Sequence, residues 1–503
     1  TAMTAATKAG LFNPYDPTSS DPETLAALTN YEVYGKTEQQ LNDLRAVIDG
    51  SLLTVPAGEI KLAFGSEYYH ERFKTRKGQT VPGYAESGFS GQTIDGVQVI
   101  SPIAAVPSAS LARDVSSAFG EVVIPVFSDQ NAVPGIKELS LTAAGRFDHY
   151  SDVGDTFNPR FGITYRPIDW LKFRASQGKS FVAPSLADAE ESEVTQVIQV
   201  PAAFFAPPAD LVQDGTYPAP ASGQFVLGIR GNSPGITPQK ADTLSLGALI
   251  TPPFAKDVDL GVTYYKIDFK GVIGLPPVGG PATATLYRDY PFLVNTAPTA
   301  EEVQAVIASS DIPISACSPL PDCVYAILDI QKRNLGNFKM DGLDFTADYH
   351  PQTSFGSLLF SVNGTYELSR EQSAAPGLPY SDQLKANYTR LRVRSSAGAQ
   401  TGKLLSQIIW NHTAGYDIDP AGVVMPQQTH VGSFDVVNLY FRYDVDGEGM
   451  LKDVAVTFNA DNVFDEAPPE FRGTVSRASS SGYVADKGST LGRFFQLGLS
   501  KKF

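Results

Sequence analysis

Residues 139–178 read LSLTAAGRFDHYSDVGDTFNPRFGITYRPIDWLKFRASQG. At the start of this stretch Leu139, Leu141, Ala143, Gly145 and Phe147 are apolar or small, while Ser140, Thr142, Arg146 and Asp148 are polar. A period of two over that length marks a half-buried strand. The cluster Tyr150-Ser151-Asp152-Val153-Gly154-Asp155 turns the chain into a second strand ending at Tyr165, and Arg166-Pro167-Ile168-Asp169 links that to a third beginning at Trp170. Three antiparallel strands in succession, greasy on one face and able to hold Arg and Asp on the other, predict a sheet that divides an apolar medium from an aqueous one.

Composition narrows the class without settling it. The chain has 503 residues, 42% hydrophobic, at a mean hydropathy of -0.11. No run of about 18 apolar residues occurs, which excludes a bundle of membrane-crossing helices. Helical periodicity is confined to Asp21–Thr29 and Ala300–Ser309, so the chain reads as all-β. Its 22 Tyr and 29 Phe against 2 Trp fit either a large soluble β protein or an outer-membrane barrel with aromatic girdles. A net charge of -15 without clustered Lys and Arg argues against a nucleic-acid partner.

The spacing of the links decides between those two. Strands are predicted over 37–54, 59–73, 115–127, the opening triplet, 239–250, 257–268, 343–349 and 358–364, with others near 384–396, 402–416, 431–443, 453–462 and 491–503. Short links such as Val55-Pro56-Ala57-Gly58 and Pro351-Gln352-Thr353-Ser354 alternate with long ones such as 74–114 and the sixty or so residues after Gly178. Outer-membrane barrels have short turns at one end and long loops at the other, whereas sandwiches and propellers space their turns evenly. Residues 1–36 show no alternation and read as a loop; 37–503 read as barrel. The opening TAMTAATKAG lacks the apolar segment of a signal peptide, so either a leader has been removed or the chain starts inside a larger protein. In the last strand Phe495, Leu497, Leu499 and Phe503 share a face against Gln496, Gly498, Ser500 and Lys502, which is similar to the terminal signal by which such barrels are recognised for insertion; Lys501 departs from it.

Five stretches carry a family resemblance: Gly145–Asp152 (GRFDHYSD), Asn158–Gly162 (NPRFG), Ser180–Leu186 (SFVAPSL), Asn334-Leu335-Gly336 with Asp341–Asp344 (DGLD), and Asp461–Asp465 (DNVFD). In that order the chain resembles the TonB-dependent receptors of the Gram-negative outer membrane, from about residue 50 onward, with Val182 where the family commonly has Arg. The resemblance implies a barrel of ~22 strands filled by an N-terminal plug, importing a scarce bulky solute such as a siderophore, cobalamin or oligosaccharide with energy relayed by the TonB complex. Only about fifteen strands and no plug or TonB box are read here. The expectation is therefore the C-terminal piece of a receptor whose other part, an N-terminal fragment or second chain, supplies the plug and about seven strands. Counting back from Phe503 as periplasmic places residues 1–36 in an external loop.

No catalytic constellation is found, and no cofactor or metal is expected. His70, His149, His350, His412 and His430 are scattered without an HExxH pair. Asp148, Asp152 and Asp155 lack EF-hand spacing and read as a solvated turn. Asn462–Asp465 reads as structural. Cys317 and Cys323, in CSPLPDC, read as a loop disulfide formed in an oxidising compartment; a metal would want more ligands nearby. Solute contacts are expected from long-loop aromatics able to stack on sugars or aromatic chelators: Phe204, Phe205, Tyr217, Phe225, Tyr287, Tyr290 and Phe292, with Arg288. The same side chains would otherwise pack the loops together. A barrel serving as a scaffold in an envelope assembly is the alternative function, and a secreted β-rich hydrolase would need a carboxylate pair that is not found.

Overall fold

The computed structural model describes residues 6–502 apart from 30–31, 81–92, 95–96, 99–108, 190–194, 279–281, 311–316, 376, 386–387, 419–427, 446, 450–451, 472–482 and 484–487. A short helix, α1 (Pro22–Thr29), precedes the first hairpin of β1 (Glu32–Val55) and β2 (Gly58–Thr80). Then come β3 (Ala109–Phe127), β4 (Glu138–Tyr150), β5 (Gly154–Ile168) and β6 (Leu171–Val182). Two shorter strands, β7 (Gln196–Pro201) and β8 (Phe225–Arg230), stand before β9 (Gln239–Ile250) and β10 (Val258–Gly274). Two more, β11 (Val294–Asn295) and β12 (Val324–Asp329), stand before β13 (Arg333–Tyr349) and β14 (Gly356–Ser373). The chain finishes with β15 (Leu391–Thr401), β16 (Leu404–Thr413), β17 (Phe434–Asp444), β18 (Val454–Asp461) and β19 (Phe494–Lys501).

Among the described residues, seventeen strands share one sheet. Two of them, Gln352–Thr353 and Tyr380–Asp382, are short flanking pieces, which leaves fifteen long ones. Each long strand pairs antiparallel with the next, from β1 with β2 through to β18 with β19. Among the described residues β1 and β19 are each paired on one side only.

The register shows what the alternation achieves. Residues directly opposite one another share a face, and the row Ile163, Ala175, Leu246, Tyr264, Leu343, Tyr366 crosses six strands with carbon on every step. One residue along, the row Thr164, Arg174, Gly247, Thr263, Asp344, Thr365, Arg392 is polar. A one-residue slip would exchange the two faces. Among the described residues no second layer covers the apolar side: the three buried apolar clusters are made of residues from Val197 to Leu335 and from Tyr416 to Phe471. Leu497 and Leu499 of β19, with Phe161 of β5, stay largely exposed.

The turns 56–57, 169–170, 350–355 and 402–403 fall at one end of the sheet, and the segments 183–238 and 275–332 at the other. The three-residue turn 151–153 is the brief exception at the long-loop end. Several strands outrun the pattern read from sequence: β2 reaches Thr80, β10 reaches Gly274 and β13 starts at Arg333. The strand expected near 384–396 lies at 391–401, because Gln383–Lys385 forms a 3-10 turn. Beyond β18, Asn462 and Asp465 take positive φ (50° and 59°), Asn462 bonds the backbone of Glu466 in both directions, and the Arg493 N–H donates to Asp465. That closed turn is the structural part read for this motif.

Candidate functional site

The two longest loops fold onto each other as one unit at the long-loop end. Phe225–Ile229 (FVLGI) and Val324–Leu328 (VYAIL) are continuous apolar runs, the composition of strands covered on both faces. They form β8 and β12, which pair in parallel, with β7 and β11 antiparallel on their outer sides. Three helices flank this sheet: α2 (Ala209–Gln213), α3 (Ala282–Asp289) and α4 (Ala300–Ala308). The first turn of α4 is closed by a capping box, the Thr299 hydroxyl accepting from the Glu302 N–H and the Glu302 carboxylate accepting from the Thr299 N–H. Val226, Leu286, Leu293 and Tyr325 pack in one buried cluster; Val197, Leu227, Val303 and Ile327 pack in another, against which the bonded pair Cys317–Cys323 rests.

Most of the candidate aromatics point into this unit. Tyr287 is 1% exposed, donates its hydroxyl to the Phe205 carbonyl at 2.9 Å, and meets the edge of Tyr217 at 4.8 Å between centroids. Tyr217 in turn donates to the Tyr287 carbonyl at 3.0 Å. Tyr290 is buried, Phe205 packs against the first cluster, and Phe225 is half-buried in β8 opposite Pro201. Phe204 and Phe292 face solvent, at 69% and 58% exposed. Arg288 lies at the surface as a 2.6 Å ion pair with Asp210, which holds the Asp210 carboxyl below its usual range. Burial pushes the Tyr287 phenol far up, so it remains a neutral donor. Burial also raises the carboxyl of Asp289, with Arg288 opposing. Sequence reasoning missed Tyr325, whose hydroxyl donates to the Pro218 carbonyl at 2.7 Å, and Asp210; neither sits in a recognisable motif.

Below the unit the loop entrance is fastened to the sheet. Arg113 of β3 is 4% exposed and donates to Asp152 at the 151–153 turn (2.7 Å) and to the Pro184 carbonyl (2.7 Å). Four residues on, Asp188 pairs with Lys332, just ahead of β13. Burial alone would raise that carboxyl, but Lys332 and Ser185 together hold it below the ordinary Asp range. The segment 183–188 is therefore a strap that ties a hairpin tip, the first long loop and the second into one assembly. On the polar face beneath it, Arg146 bonds Glu67, Ser117 and Asp148 across three strands. The three hairpin carboxylates take separate partners, Asp148 with Arg146, Asp152 with Arg113 and Asp155 with His149. Phe495, Leu497 and Leu499 share the apolar face of β19 against Ala460, Phe458 and Val456; Phe503 lies outside the described residues.

Such an arrangement can present a firm, partly aromatic surface above a polar-lined sheet. A family model described as TonB dependent receptor-like, beta-barrel matches residues 4–463. No curated protein matches the sequence. Among solved structures, the chain is similar to the ferric enterobactin receptor PfeA of Pseudomonas aeruginosa, solved as a mutant with enterobactin: TM-score 0.58, 16% identity, covering 93% of this chain and 58% of that one. It is similar to the siderophore receptor PirA of Acinetobacter baumannii at TM-score 0.54 and 13% identity, covering 92% and 55%. A third likeness, at TM-score 0.50 and 14% identity, is to the FrpB iron transporter of Neisseria meningitidis, covering 93% and 55%. The chain thus spans a little over half the length of the solved structures it matches.

Proposed function

Because the chain belongs to the TonB-dependent receptor β-barrel family, whose members are outer-membrane transporters and not enzymes, we propose that it forms the C-terminal wall and external binding unit of a receptor importing an iron–siderophore-type solute. The observation that carries this reading is the sheet itself: among the described residues its apolar face has no protein cover, and both edge strands are paired on one side only. Open edges in hydrocarbon cost several kcal/mol per unpaired group. Further strands must meet β1 and β19, and in this reading about seven arrive together with the plug on an N-terminal fragment or second chain. Strand β1 runs from the long-loop end toward the 56–57 turn and starts at Glu32, which supports the residues ahead of Glu32, and not the whole of 1–36, lying in an external loop. TonB engages the assembly through the plug.

The solute is read as meeting the loop unit at Phe204, Phe292 and Arg288, with Phe205, Tyr217, Phe225, Tyr287 and Tyr290 holding that surface in shape. Siderophore chemistry is favoured over cobalamin or oligosaccharide because the similar structures include a ferric enterobactin receptor and a siderophore receptor. The test is to purify the assembly from outer membranes, identify every co-migrating polypeptide by mass spectrometry, and measure uptake of radio-iron siderophores with and without TonB. A plug-bearing segment and TonB-dependent uptake are expected. A closed barrel without any plug, bound to an envelope lipoprotein and importing nothing, would establish the scaffold role instead.

A further inference from the structure

The apolar face is not uniform. A groove of ≈390 Å³, lined almost wholly by carbon, runs along it over β15. Its floor is Ser395 and Ala397, small where the neighbouring strands carry bulk; Tyr349 and Phe360 form one wall, Ile408 and Trp410 the other. Register places all six on the same side as the apolar row that includes Leu343 and Tyr366. The valley starts beside the turns 251–257 and 350–355 and climbs toward Trp410.

We propose that this groove holds an acyl chain of one phospholipid from the leaflet at the short-turn end, its headgroup resting among those turns. The assignment rests on the reading of the apolar face as lipid-facing, and it is that continuity which selects the occupant: the groove opens onto the surface that hydrocarbon already wets. An unfilled valley loses dispersion contacts along its whole lining, and a flexible methylene chain fills it. A sugar or peptide finds few polar partners there, the Ser395 hydroxyl being the one on the floor. At the open end Lys256, Asp257 and Lys403 are exposed on the turns, both charge signs together, which suits a headgroup carrying a phosphate and an amine. Phe254 and Phe355, also exposed on those turns, sit where aromatic rings anchor at an interface.

The test uses the complete receptor purified from outer membranes in mild detergent. Phospholipid retained per receptor is counted by native mass spectrometry through a series of detergent washes, then after reloading with phosphatidylethanolamine vesicles. Ala397→Phe fills the floor of the groove; Ala143→Phe adds the same bulk on β4, elsewhere on the same face. Retention is expected to fall about tenfold in A397F, the loss of one decade in affinity, and to match wild type in A143F. Equal retention in all three, or equal loss in both variants, overturns the proposal. So does a dimer that A397F alone separates, since a second copy then fills the groove. Should the wild-type protein fail to integrate into vesicles at all, the lipid-facing reading falls first and the groove assignment falls with it.

Discussion

Arg113 illustrates how much one buried side chain can hold. Its guanidinium reaches from β3 to Asp152 and to the Pro184 carbonyl, so Arg113→Ala leaves a carboxylate and a carbonyl without that donor. Losing charge-assisted bonds at a site this closed costs about 2 kcal/mol locally, and the strap 183–188 should open correspondingly more often. Limited proteolysis of intact cells is expected to cut within the first long loop about thirtyfold faster, with the barrel itself unaffected; an unchanged cutting rate would show that Arg113 is not the fastener. Asp188 gives a pH dependence of known sign. Its folded carboxyl is held below the ordinary value by Lys332 and Ser185 against burial, so its contribution is complete above the unfolded pKa of about 4 and is lost as pH falls through the folded value. Protection of the loop unit from protease should decline across that acidic window in wild type and decline less in Asp188→Asn. Asp289, raised by burial, works in the opposite direction and softens the decline.

At the scale of strands, close approach of aromatic rings to glycine fixes parts of the polar face. A Cβ on Gly65 of β2 would run into the Phe119 ring of β3, and that ring lies under Arg45 at 5.0 Å and Arg146 at 5.5 Å. Gly65→Val therefore displaces the ring and the Arg146 network with it. A loss of about 1–3 kcal/mol is expected for such overpacking, read as a lower temperature at which the folded, fast-migrating band of the barrel converts to the unfolded one; no shift would mean the ring relocates without cost. The strands also show what a local pattern can and cannot reveal. Leu139–Phe147 was readable because one face of β4 is apolar and the other polar. The upper ends of β2 and β13 were not, since RFKTRKGQT (72–80) and RNLGNFKMD (333–341) carry no sustained alternation of apolar and polar residues. The loop strands escaped for the opposite reason: FVLGI and VYAIL are covered on both sides, and their parallel pairing joins residues about a hundred apart in sequence, which no local signal encodes. Nor does the sequence tell Tyr287, turned inward, from Phe292, turned outward, because an aromatic serves equally well in a loop core and on a binding surface.

Over the whole molecule, one sheet with carbon on one side and charge on the other carries the family's architecture, the two longest loops add a packed unit at one end, and among the described residues β1 and β19 are each paired on one side only. Everything functional in this account depends on the orientation of those two faces. The most direct measurement is a cysteine scan of β19 in the assembled receptor in native outer membranes, one position at a time from Phe495 to Ser500, labelled in parallel with a lipid-dissolved and a water-soluble thiol reagent. Positions 495, 497 and 499 are predicted to react from the lipid and 496, 498 and 500 from water, a strict alternation. Water-soluble labelling of 495, 497 and 499, or labelling without any period of two, would contradict the account.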